Sequence, residues 1–186
     1  MKVEVGGLFR TPFLITTLLV LAADLLSKSW AFDVVKAEDS PIFNYPRIAV
    51  IDGIFYLARV ENTGTIWGLG QGYPNLLRVV RCVMVLILLW MCWEARRNQR
   101  LKLVSLGLVL GGAIGNLYDN FTQAKGAVRD FLDFYIPLPW LDRPYHYPVF
   151  NLADSCILIG AILLFWAFSR EGRQEEVEVE AASTES

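Results

Sequence analysis

Apolar residues run almost unbroken through four stretches of the chain, at about 12–32, 75–93, 101–119 and 149–168. A helix needs about 20 mostly apolar residues to cross a bilayer core, so the pattern predicts four membrane spans. Lys2 and Arg10 precede the first run as in a signal peptide. That run is long and further spans follow, so an uncleaved anchor is expected. Between spans one and two, RIAVIDGIFYLARV sets β-branched and aromatic residues around Asp52 and Gly53. This predicts a hairpin within an outer segment of about 40–70. A second outer segment, about 120–148, holds Pro, Trp and Tyr residues suited to the membrane interface. The predicted fold class is an α-helical polytopic membrane protein: four transmembrane helices with a small extracytoplasmic β-sheet between helices 1 and 2. Residues 1–169 are expected to form a single membrane-embedded domain, and the acidic 170–186 a disordered cytoplasmic tail.

Composition agrees, since 54% of the 186 residues are hydrophobic, above the usage of soluble domains. A net charge of −2 gives no hint of nucleic acid. The single His146 and the three cysteines, Cys82, Cys92 and Cys156, all in apolar runs, offer neither a metal site nor a disulfide framework. No cofactor is implied. The turn EARRNQRLK between spans two and three is dense in Arg and Lys and is expected on the cytoplasmic side. Both termini then face the cytoplasm. Arg78 and Arg81, on the outer side of span two, run against this orientation but are outweighed by that turn.

With this topology, Asp24, Lys28, Asn62, Asn116, Asp119, Asp130, Asn151 and Asp154 all fall toward the outer face. Asp24 lies eight residues before Phe32, about 12 Å below the outer end of its helix. Asn116 and Asp119 share a helix face, as do Asn151 and Asp154. Gly107, Gly111 and Gly115 recur every four residues and predict close approach of another helix. Plain structural roles exist for most of these residues. Asp24 and Lys28 form an i,i+4 pair in which Lys28 could snorkel outward. Asn62 could shape a turn, and Asn116 could bond between helices. Asp133 and Asp142 read as solvated loop charges. Asp154 is harder to dismiss, because an ionisable group inside a span is a functional hypothesis by default.

The chain offers no G-x-S-x-G elbow, no HExxH and no phosphate-cradling glycine loop. Carboxylates are what the outer face provides. Two of them close together share a proton, so one can activate water while the other acts as acid. Spacing leaves the partner of Asp154 open among Asp119, Asp130 and Asp24.

DLLSK at 24–28, ENTGTIWGL at 61–69, GGAIGNLYDN at 111–120, AVRDFLDF at 127–134 and FNLADS at 150–155 occur in that order. Together, over about 21–168, they resemble the bacterial lipoprotein signal peptidases, or type II signal peptidases. The resemblance implies an aspartic endopeptidase of the bacterial inner membrane. Such an enzyme removes the signal peptide from diacylglyceryl-modified prolipoproteins, N-terminal to the lipidated cysteine, near the outer (periplasmic) face. It implies Asp130 and Asp154 as the catalytic pair. Asp24, Lys28, Asn62, Gly64, Asn116, Asp119 and Asn151 would support the site or hold substrate. Lipidated prolipoprotein and membrane lipids are the implied partners, a monomer the implied state, and globomycin the implied inhibitor. Three departures stand out: Asn120 where the family has Arg, Arg129 where it has an apolar residue, and Thr65, Ile66 and Trp67 after the NxG motif. Arg129 is expected to supply the charge missing at position 120. The rival reading is a small non-enzymatic membrane carrier or scaffold with a buried carboxylate cluster.

Overall fold

Each apolar run folds as one helix long and apolar enough to cross a membrane. They are α1 (Thr11–Val34), α2 (Pro74–Glu94), α3 (Arg100–Thr122) and α4 (Leu152–Thr184). The computed structural model describes residues 11–36, 45–64, 73–96 and 98–184, the side chains of 74 and 174–184 excepted. Packing is centred on α3, which touches the other three helices. In its most apolar window 61% of residues are buried, against 28, 11 and 17% in α1, α2 and α4. Most of the large side chains left exposed, among them Leu19, Leu26, Leu86, Trp90, Ile162 and Phe165, lie on those three helices. Outward apolar faces suit lipid, which costs them nothing. The tail predicted to be disordered continues α4 as far as Thr184. Its Glu and Ala residues are strong helix formers, and a helix already nucleated in α4 propagates cheaply.

The glycine stripe brings α1 against α3. A Cβ at Gly107 would stand 2.8 Å from the Phe13 carbonyl, and one at Gly111 would stand 2.8 Å from that of Thr17. Gly112, one residue round the helix, makes the same approach to α4, where a Cβ would lie 2.6 Å from the Ala153 carbonyl. Gly115 meets the Asp24 carboxylate itself, its added Cβ falling 3.1 Å from Cγ and closer still to Oδ2. Gly115→Ala is therefore expected to push Asp24 off its partners and to destabilise by about 1–3 kcal/mol, as overpacking does. Thermal unfolding in detergent checks this, and an unchanged melting temperature would count against the packing described.

The predicted hairpin forms from β1 (Arg47–Ile51) and β2 (Phe55–Asn62), turning at Asp52 and Gly53, whose φ of +76° suits glycine. The sheet is larger than expected. The second outer segment adds β3 (Val128–Ile136) and β4 (Tyr145–His146), giving an antiparallel order β1-β2-β3-β4. Its β-branched and aromatic residues are strand formers as well as interfacial ones. A bulge between Leu57 and Val60 shifts the β2–β3 register so that Val60 faces Asp130 and Glu61 faces Arg129. Beyond β3 the chain returns to pair with it: Phe131 and Leu132 both donate to the Phe150 carbonyl, at 3.0 and 2.8 Å. Ala31 and Phe32 of α1, with Val35 just beyond it, pack with Leu57 and Phe131 and seat the sheet on the end of the bundle. The strand carrying Asp130 is thus pinned beside the start of α4.

Asp133 is a correction. It is fully buried, not a solvated loop charge. Its carboxylate takes His146 Nε2 at 2.8 Å, the Tyr45 hydroxyl at 3.2 Å and Arg47 at 3.3 Å. It stands on the inner face of β3, where pleat alternation turns it from solvent. Burial, and then the Asp133 charge, push the Tyr45 phenol above its usual range, so the hydroxyl stays a donor. Asp142 is exposed, as expected.

Candidate active site

Asp130 on β3 and Asp154 in the first turn of α4 meet around one residue, Asn151. Asn151 precedes α4 and accepts the Asp154 amide at its Oδ1 (2.9 Å), while Asp154 Oδ2 accepts the Asn151 amide at 3.3 Å. This is a reciprocal capping box in Asn/Asp form, so local helix chemistry alone fixes the Asp154 rotamer. The Asn151 side-chain amide then donates to Asp130 Oδ1 at 2.6 Å and to Asn116 Oδ1 at 3.2 Å. Asn116 in turn donates to Asp154 Oδ1 at 2.8 Å. Asn62 completes the ring by donating to Asp130 Oδ2 at 2.9 Å, while its own Oδ1 accepts the Gly64 amide at 2.9 Å. The turn role of Asn62 and its role at the carboxylate are therefore the same geometry.

Behind this ring lies a closed charge network. Lys28 is wholly buried and does not snorkel. It donates to Asp24 Oδ2 at 2.7 Å and Asn116 Oδ1 at 2.8 Å, and stands 3.3 Å from Asp119 Oδ2. Gathering three acceptors inside the bundle outweighs reaching for the headgroups, since an unpaired carboxylate there is far costlier. The other oxygen of Asp24 accepts the Ala153 amide at 2.9 Å. Asp119 is gripped by Arg129 through Nε at 3.0 Å and Nη2 at 2.7 Å, and by the Arg129 backbone amide at 3.0 Å. Both of those guanidinium donors converge on the one Oδ1, Arg129 Nη1 turns to the Ser29 hydroxyl at 3.3 Å, and among the described residues Arg129 makes no hydrogen bond to Asn120. The Asn120 side-chain oxygen is met instead by Arg81 of α2.

The three partners left open for Asp154 now separate. Asp24 and Asp119 are spent on cations. Among the described residues, Asp130 and Asp154 are served by amides alone. Burial first, and the Asp154 charge second, push the Asp130 carboxyl up to about 7, against the opposing amides of Asn62 and Asn151. A carboxyl raised so far, beside a second one, is equipped to hold and release a proton near neutral pH. Asp154 is the more open of the two. It borders an apolar cavity of about 480 Å³ lined also by Phe134, Ile136, Tyr147, Phe150 and Leu158.

The structure brings Asp24, Lys28, Asn62, Asn116, Asp119, Arg129 and Asn151 together around Asp130 and Asp154, and it adds Arg81 through Asn120, a residue read from the sequence only as a charge against the predicted orientation. A cation inside an apolar span was the signal available.

A family model described as signal peptidase (SPase) II matches residues 16–170. The lipoprotein signal peptidase of Bacillus subtilis (strain 168) is 34% identical over 148 residues, 80% of this chain and 86% of the relative. That of Syntrophomonas wolfei is 35% identical over 159 residues, 86% and 93% of the two chains. Among solved structures, a bacterial membrane enzyme obtained by the in meso method at 2.3 Å aligns with a TM-score of 0.70 at 24% identity, covering 86% of this chain and 88% of the other.

Proposed function

The chain belongs to the signal peptidase II family of multi-pass bacterial membrane proteins, and from that premise we propose that it is an aspartic endopeptidase of prolipoproteins. It cuts the signal peptide from diacylglyceryl-modified precursors, N-terminal to the lipidated cysteine. The supporting observation is that, among the described residues, four acidic side chains separate into two ion-paired ones and two held by amides alone. Asp130 and Asp154 act as a unit that holds one proton between them. One carboxylate draws a proton from water, the water attacks the scissile carbonyl, and the other carboxylate protonates the leaving amine. Asn151, Asn116 and Asn62 fix both carboxylates without neutralising them. The apolar cavity beside Asp154 suits the aliphatic side chains of a signal peptide. The basic turn between α2 and α3 lies at the far end of the bundle from this site, which by the positive-inside rule supports a site at the outer leaflet and both termini in the cytoplasm.

Incubating the purified protein with a diacylglyceryl-modified prolipoprotein peptide is expected to give two fragments by mass, split before the modified cysteine. An intact peptide at high enzyme concentration would favour the carrier or scaffold reading.

The shared proton sets a pH dependence. The turnover rate is expected to fall as pH rises through about 7, where the pair loses that proton. Stability follows the same sign. Asp130 holds its proton more tightly folded than unfolded, so its contribution is complete below the ordinary value of 3.8 and lost as pH rises through about 7. Melting temperatures recorded across that window are expected to decline with pH, and less steeply in Asp130→Asn. A slope identical in the two proteins would contradict this.

A further inference from the structure

The outer half of α2 carries Arg78 and Arg81, three residues apart and so on one face of the least buried helix. Cations in such a helix need partners. Arg78 has them, though its buried Nε meets no acceptor among the described residues: it donates to Asn75 Oδ1 at 2.9 Å and to the Asn120 carbonyl at 2.8 Å, and covers the Phe121 ring at 5.0 Å. Arg81 does not. One Nη donates to Asn120 Oδ1, and no other protein acceptor meets its guanidinium among the described residues. It forms no ion pair there, although Asp154, Asp130 and Asp119 all lie within its field. Asn120 is itself buried and locked, its amide nitrogen donating to the Gly126 carbonyl at 2.6 Å. Its oxygen therefore has one orientation, and that orientation aims Arg81. A guanidinium has five N–H donors in a planar fork. Among the described residues most of them meet no acceptor, within the field of the two amide-held carboxylates.

We propose that Arg81 is a substrate-binding residue whose unused donors hold a backbone carbonyl oxygen of the bound peptide next to the scissile bond, with Asn120 as its positioning residue. This rests on the peptidase reading above. The carbonyl is a suitable ligand because it accepts a charge-assisted bond without cancelling the cation, and the cation is needed near a pair that passes through anionic states. Contact with an oxygen present before and after attack contributes mainly to binding, so its loss appears in KM more than in kcat.

Arg81→Gln is expected to raise KM for the lipidated peptide about tenfold, the usual scale for losing one charged hydrogen bond, while kcat stays within about threefold. In the double variant Arg81→Gln/Asn120→Arg, a guanidinium enters the same space from α3, and most of the KM is expected to return. The Kd of the peptide in an Asp154→Asn background, read by fluorescence anisotropy with and without Arg81→Gln, tests binding apart from cleavage. A roughly tenfold rise there supports the proposal. An unchanged Kd overturns it, as does a fall in kcat at constant KM, or a loss that follows melting temperature and is not recovered by Asn120→Arg. If the wild-type protein binds the peptide without cutting it, the peptidase reading fails and the Kd comparison alone decides the role of Arg81. No binding at all overturns both.

Discussion

Asp154→Asn and Asp130→Asn are each expected to reduce cleavage at least about a thousandfold, the scale of losing a general acid or base, with the fold retained. Asn keeps the shape of Asp and one acceptor oxygen. At position 154 that oxygen can still take the Asn151 amide or the Asn116 side chain, which now meet at separate oxygens. At position 130 it can still take Asn151 or Asn62. The other partner then faces an amide N–H, a mismatch that costs about 1–3 kcal/mol at most. What neither variant can do is pass a proton between two carboxylates. Fragment yield by mass spectrometry, with melting temperature as the control for folding, separates the two effects. Near wild-type cleavage by either variant would falsify the assignment of that residue.

Lys28→Met is expected to be the most destabilising single change in the bundle, costing about 3–5 kcal/mol. The ammonium serves Asp24, Asn116 and Asp119 in a space with no solvent access. Asp119 would keep Arg129, but Asp24 would keep only the Ala153 amide. A buried carboxylate left that way is the penalty, more than the lost attraction itself. It follows that Lys28→Met/Asp24→Leu recovers part of the loss, because removing both charges leaves nothing unpaired. Thermal unfolding of the two variants in the same detergent tests this. A single variant as stable as wild type would show that the network bears no weight in the fold.

The helices were legible because twenty apolar residues in a row have few other uses. The hairpin was legible because Asp52-Gly53 permits the turn that β1 and β2 require. β3 was not, since VRDFLDFYI is buried on both faces through Val128–Phe131 and so lacks the period-two alternation of a half-exposed strand. Asp133 was misjudged for the same reason: without the strand there was no inner face to place it on. Spacing could put Asn151 and Asp154 on one face of α4, but their capping box became visible only with the helix start at Leu152. The partner of Asp154 could not be chosen from spacing because the choice depends on which acids meet a cation. Lys28 and Arg129 decide that across elements distant in sequence. Arg81 stayed hidden because its role depends on Asn120, 39 residues away and on another helix.

The most direct test of the shared-proton pair is an experimental structure, in lipid, of the protein with a lipidated peptide whose scissile amide is replaced by a hydroxyl-bearing isostere. That hydroxyl mimics the attacking water. It is expected to sit within hydrogen-bond distance of both Asp130 and Asp154, with Asn151 still bridging beneath. A hydroxyl bound to one carboxylate while the other faces away would contradict the mechanism.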